Sequence, residues 1–228
     1  MNSRRHALKS VAAATGLSAL GLPLTTWAQS GELVVAAAPP ITGVFAFAGV
    51  GLNMGINDYC EWRNEARGGI MGRKISYTSE DTQSNPGVDK GLTQKAADND
   101  VFAIFGPVFS GSIMVSMAES KRGETPNFTG GEATAITQQG NPWVFRTAFG
   151  QSVSFPKVAR YINGKSKKLA VLYVNNDFGK GGQAAIKQLL ANSPTQIVAE
   201  ISTESGQVDF SAAVIQAKRL HVLCQTLV

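Results

Sequence analysis

Short apolar runs stopped by glycine or proline alternate along this chain with longer segments of helical periodicity. That alternation restricts the fold more than any other feature. Leu33-Val34-Val35-Ala36-Ala37-Ala38 is apolar throughout and is closed by Pro39-Pro40, the pattern of a buried strand. From Gly49 to Ala66 the residues Leu52, Ile56 and Tyr59 recur at helical spacing until Gly68-Gly69 ends the run. Residues 74–79 alternate, with Ile75 and Tyr77 on one face, and predict a second strand. Asn85-Pro86 opens a helix to about Ala97, residues 101–105 predict a third strand, and Ser110 starts a helix to about Lys121. Short strands follow at 126–128 and 143–146. A second series then reads helix 152–162, strand 169–174, helix 183–190, strand 196–201 and a helix from Asp209. Such alternation predicts α/β units around parallel sheets flanked by helices. Ligands of such sheets bind beyond the carboxyl ends of the strands, so the loops after Ala38, Phe105, Phe128 and Val174 are the places to search.

Those loops share a chemistry. Gly106-Pro107-Val108-Phe109-Ser110-Gly111-Ser112 is rich in glycine and hydroxyl and leads into a helix. Its exposed N–H groups and positive helix end suit a carboxylate or phosphate, although Ser110 also serves as an ordinary N-cap in a plain structural reading. Thr129-Gly130-Gly131-Glu132 offers free backbone groups and one acid that would receive an ammonium; the alternative is a solvated loop acid. Phe47, beside Phe45, follows the first strand, and Phe178 follows Asn175-Asn176-Asp177. Each phenylalanine is either a ligand contact or a lid on the core.

Several function classes drop out. The 228 residues hold two histidines and two cysteines, far apart at 60 and 224, and no CxxC, so a zinc site lacks its ligands and no metal or other cofactor is expected. A Ser-His-Asp hydrolase would depend on His221 as its base. Gly49-Val50-Gly51-Leu52-Asn53-Met54-Gly55 has the wrong spacing for a dinucleotide fingerprint, and Gly179-Lys180-Gly181-Gly182 lacks the ending of a P-loop. An enzyme acting on a phosphorylated or acyl substrate would need a base or a metal near Ser110, and none is offered. Residues 1–28 carry Arg4, Arg5 and Lys9 with no acid, then an apolar stretch, then Thr26-Trp27-Ala28, the pattern of an export signal cleaved after Ala28. Ser3-Arg4-Arg5 leaves a general secretory and a twin-arginine route equally open. The remaining 200 residues carry 18 basic and 16 acidic side chains, and a net charge of +2 is not the footprint of a nucleic-acid binder.

The segments Pro40-Ile41-Thr42-Gly43, Gly68-Gly69-Ile70-Met71-Gly72-Arg73-Lys74-Ile75, Glu80-Asp81 with Asn85-Pro86, Phe105-Gly106-Pro107 through Ser110, Trp143-Val144-Phe145-Arg146-Thr147, Asp177-Phe178-Gly179 and Val208-Asp209-Phe210-Ser211 occur in one order. In that order the chain resembles the leucine/isoleucine/valine-binding type of periplasmic substrate-binding protein, from about residue 33 to about residue 217. The resemblance implies a two-lobed type I periplasmic-binding fold closing over a small ligand: an amino acid, an amide or another carboxylate. It implies a monomer that hands its ligand to the membrane permease of an ABC importer, without catalysis. A ligand-sensing receptor domain is the alternative within the fold.

On this resemblance the chain divides into an export signal (1–28), an N-terminal lobe (29–148) and a partial C-terminal lobe (149–228). Ser110, with Gly111 beside it, matches the serine that holds the ligand carboxylate. Thr129, Gly130, Gly131 and Glu132 match the loop that holds ammonium and carboxylate, and Phe178 matches the aromatic brought by the second lobe. Phe47 is added as an aromatic neighbour. Glu132 stands where amino-acid-binding members carry Thr or Ser. Family members continue beyond residue 214 with further α/β units, so the second lobe is expected to be incomplete. The tail is then expected to have no strand to pair with, residues after about 198 to be readily cleaved, and the chain to bind poorly or to be a non-functional fragment.

Overall fold

A computed structural model describes residues 31–163, 165 and 167–220, and the backbone of 223–226. The export-signal reading of residues 1–28 and the reading of His221 as a base lie outside the described residues. Five strands, β1 (Leu33–Ala37), β2 (Ile75–Ser79), β3 (Ala103–Phe105), β4 (Asn127–Thr129) and β5 (Val144–Arg146), form one parallel sheet in the order β2-β1-β3-β4-β5. Helices α1 (Ala46–Arg67), α2 (Pro86–Asp98) and α3 (Ser110–Arg122) and a 3-10 turn (Thr134–Thr137) connect them. A second parallel sheet, ordered β7-β6-β8, comprises β6 (Lys168–Val174), β7 (Gln196–Thr203) and β8 (Leu223–Thr226), with helices α4 (Gln151–Ile162), α5 (Asp177–Leu189) and α6 (Ser211–Arg219). The architecture is α/β, with parallel sheets flanked by helices.

Local chemistry accounts for the element ends. Asn85 accepts from the Gly87 and Val88 amides, and Pro86 occupies the first helical turn of α2 where a missing N–H costs nothing. Gly68, at φ 67°, closes α1 in the left-handed conformation. At Gly69 a Cβ would lie 1.8 Å from the Arg73 carbonyl oxygen, so the tight turn into β2 excludes any side chain. The most deeply buried residues include Ile104 and Ile113 in the first unit and Leu169, Val171 and Ile186 in the second.

Both sheets reverse direction of growth at an inner strand. The chain places β2 on one side of β1 and β3 on the other, and likewise β7 and β8 on opposite sides of β6. Crevices open at such switch points beyond the carboxyl ends of the strands.

Four expectations need correction. The helix expected over 183–190 begins at Asp177, because Asn176 caps it by accepting from the Gly179 amide at 2.9 Å. The glycines that argue against a helix there satisfy packing instead: a Cβ on Gly179 would lie 1.9 Å from the Val174 carbonyl oxygen. Helix α1 starts at Ala46 rather than Gly49, so Phe47 stands in its first turn. Ser110 is the first helical residue of α3 and not its N-cap, a place held by Phe109. The tail is not strandless either, since β8 pairs with β6 from Leu169↔Leu223 to Leu172↔Thr226.

Candidate functional site

A cleft of about 600 Å³ lies between the carboxyl ends of β3 and β4 and those of β6 and β7. One wall begins with the loop after β1. The Asp81 carboxylate accepts from the Ile41, Thr42 and Gln83 amides and, at 2.6 Å, from the Thr42 hydroxyl. These bonds, that from the Thr42 hydroxyl foremost, hold its pKa down at about 2. Ser84 accepts from the Phe45 amide at 3.1 Å and donates to the Thr42 carbonyl. The loop is thereby fixed, and Phe45 stacks on Phe109 with ring centroids 4.2 Å apart.

The same wall continues at the start of α3. No side chain caps this helix, so its first amides are left without an intrahelical acceptor. Ser110 is 2% exposed, and its Oγ accepts from the Ala133 amide at 3.1 Å, which leaves the hydroxyl proton for another acceptor. Gly130 and Gly131 let the neighbouring loop come close: a Cβ on Gly131 would lie 2.4 Å from Ile113 and 3.2 Å from the Ser110 Cα. Glu132 is half-buried at the cleft edge.

The opposite wall comes from the ends of β6 and β7. Phe178, in the first turn of α5, Tyr173 on β6, Phe210 and the loop from Glu204 to Gln207 line it. Within that loop Gln207 accepts from the Glu204 amide at 2.9 Å and donates to the Asp209 carbonyl at 2.7 Å. Gln151, fully buried, joins the two walls: its amide donates to the Glu132 carbonyl at 3.0 Å and its Nε2 to the Phe178 carbonyl at 2.7 Å.

Of the residues singled out in the sequence, Ser110, Gly130, Gly131, Glu132, Phe178 and Phe47 line the cleft together, while Gly111 and Thr129 do not. Thr129 is buried beneath it, its carbonyl accepting from the Thr147 amide and hydroxyl. Sequence reasoning missed the second-wall loop after β7, although the carboxyl-end rule extended to the 196–201 strand points there. Gln151 carries no such signal, because only the packed structure shows what its amide bridges.

Among the described residues no group of three or more His, Cys, Asp or Glu side chains is placed to hold a metal ion, and no helix is long and apolar enough to cross a membrane. Two facing walls at the carboxyl ends of parallel strands define a binding cleft of the two-lobed kind. A family model for periplasmic binding proteins matches residues 32–222, and the chain belongs to that family.

The chain is 29% identical over 193 residues to the Leu/Ile/Val-binding protein homolog 3 of Brucella melitensis, a match covering 82% of this chain and 51% of that protein. The LivJ substrate-binding protein of Streptococcus pneumoniae, solved with isoleucine, superposes with a TM-score of 0.74 at 23% identity, over 82% of this chain and 54% of that one. A solute-binding protein of an ABC transporter from R. palustris, solved with 4-hydroxybenzoate, gives 0.75 at 21% identity, over 87% and 54%. These structures share the fold. The chain spans about half the length of the curated relatives it matches.

Proposed function

We propose that this chain is the extracytoplasmic solute-binding component of an ABC importer, taking a small amino-acid-like or carboxylate ligand in the cleft and passing it to a membrane permease without chemical turnover. The observation that carries this reading is the uncapped start of α3, set beside the buried Ser110 hydroxyl and faced across the cleft by Phe178. Amides and a hydroxyl at a helix N-terminus receive a carboxylate, and the apolar remainder of the lining receives its hydrocarbon part. Ser110, Gly130, Gly131 and Glu132 form one grip and Phe178 the other, with Phe47 at the rim. Gly111 contributes through its backbone at the helix start, and Thr129 holds the loop from below. Residues 29–148 and 149–228 serve as the two lobes, residues 1–28 as the export signal, and the protein acts as a monomer in the periplasm.

Calorimetric titration of the purified chain with amino acids and aromatic carboxylates tests the reading. Ser110→Ala is expected to weaken a carboxylate ligand by about 1.5–3 kcal/mol, the range for a hydrogen bond to a charged group. An unchanged affinity would reduce Ser110 to a structural residue that holds the Ala133 amide.

A further inference from the structure

Among the described residues, the charged side chains that line the cleft are Glu132 on one wall and Glu204 on the other, with no lysine, arginine or histidine beside them. The aromatic lining is dense by contrast. Phe45 and Phe109 form a stacked pair, and Phe178, Tyr173 and Phe210 stand across the cleft from them. Phe47 is 83% exposed at the rim, an unusual place for a phenylalanine that serves only the core. Glu204 is exposed and lines the cleft, and one of its oxygens accepts from the Asn175 side chain at 3.0 Å.

A purely anionic ligand meets two carboxylates here and no cationic side chain; its one favourable contact is the start of α3. A primary ammonium needs about three acceptors, whereas a quaternary ammonium has no N–H, needs none and is held by the faces of aromatic rings and by nearby negative charge. We propose that the ligand of this cleft carries a quaternary ammonium group, seated among Phe47, Phe178 and Phe210 between Glu132 and Glu204, with any carboxylate directed to Ser110. The inference rests on the solute-binding reading and specifies its ligand class as a betaine-like or choline-like organic cation. Glu204 and Phe47 then become specificity-determining residues.

Calorimetry on the full chain with glycine betaine, choline, L-leucine and benzoate provides the test. Glycine betaine or choline is expected to bind at least tenfold more tightly than benzoate. Phe47→Ala and Glu204→Gln, both at exposed positions, should each weaken the cation by about tenfold and leave the melting temperature unchanged. Benzoate or leucine binding as tightly as the cations, or no cation binding at all, overturns the inference while leaving the solute-binding reading intact. Binding of none of the four probes overturns both. Cation binding that neither substitution weakens removes the aromatic and acidic groups from the explanation and overturns the assignment to this cleft.

Discussion

The two halves of the molecule solve the same α/β packing problem with different interiors. Behind the five-stranded sheet, α2 and α3 enclose polar side chains with no exposed surface: Asp89 and Thr93 on α2, and Ser112, Ser116 and Ser120 spaced every fourth residue along α3. Asn127 of β4 reaches Ser120 at 3.0 Å. The three-stranded half buries Phe155, Ile162, Leu169, Val171, Ile186 and Leu190 in one apolar cluster. Small hydroxyl residues let two helices approach closely, at the cost of burying groups that want partners. Aliphatic residues fill the space between helix and sheet with no such demand. The polar half carries the uncapped start of α3 and the apolar half the wall of Tyr173, Phe178 and Phe210, so the stabilities of the two walls should respond to different perturbations.

The largest effect is expected from Asp89. Burial pushes its carboxyl up to about 7, and the Ser112 hydroxyl beside it offsets part of that cost without closing a well-formed hydrogen bond to either oxygen. The folded chain therefore keeps a proton that the unfolded chain has released above its ordinary value of 3.8. Stability from this group is complete below about pH 4, is lost as pH rises towards 7 and is flat above, an overall change of about 4 kcal/mol. Urea unfolding across pH 4–8 should show that decline, and Asp89→Asn should remove it. Parallel pH profiles for the two proteins would refute the buried-acid account.

Ile186→Ala attacks the other interior. The side chain is completely buried against the α4 and β6 residues of its cluster, so its truncation should cost roughly 3 kcal/mol by denaturant titration, with no new dependence on pH. A pH-dependent loss would blur the contrast between the halves.

Asn176→Ala sharpens the comparison at the cleft. Removing the cap of α5 should cost about 1 kcal/mol and loosen the turn that carries Phe178, seen as faster amide exchange at Gly179. The smallest effect belongs to the Lys95–Glu80 ion pair at 2.8 Å, where both side chains are about half exposed. Lys95→Met should change stability by less than about 0.5 kcal/mol, and salt should erase the difference.

How much of this could be read from the sequence varies by element. The strands at 33–37, 75–79 and 168–174 announce themselves, because each is an apolar or alternating run with a breaker at its end. Asn85-Pro86 and Gly68-Gly69 mark helix ends by chemistry local to a few residues. The start of α5 was obscured because three glycines argue against a helix, and only the nearness of the Val174 backbone to Gly179, of Gln151 to Gly181 and of Phe155 to Gly182 shows why they are needed. Strand β8 was invisible for the converse reason. Its residues carry no strong period, and its pairing partner β6 lies more than fifty residues earlier in the chain.

The α/β class, most of the element order and the glycine-hydroxyl character of the loops are written into the order of residues, since these follow from backbone preference and from which side chains leave water. Packing settled what those loops became. It made Ser110 a hydroxyl fixed by Ala133 rather than a cap, placed Thr129 below the cleft instead of in it, and chose Gln151 to tie Glu132 to Phe178. Each of these contacts joins residues 18 to 27 positions apart along the chain. Local propensity does not reach that far, and only the packing of α3, α4 and α5 against their sheets brings such groups within hydrogen-bonding distance.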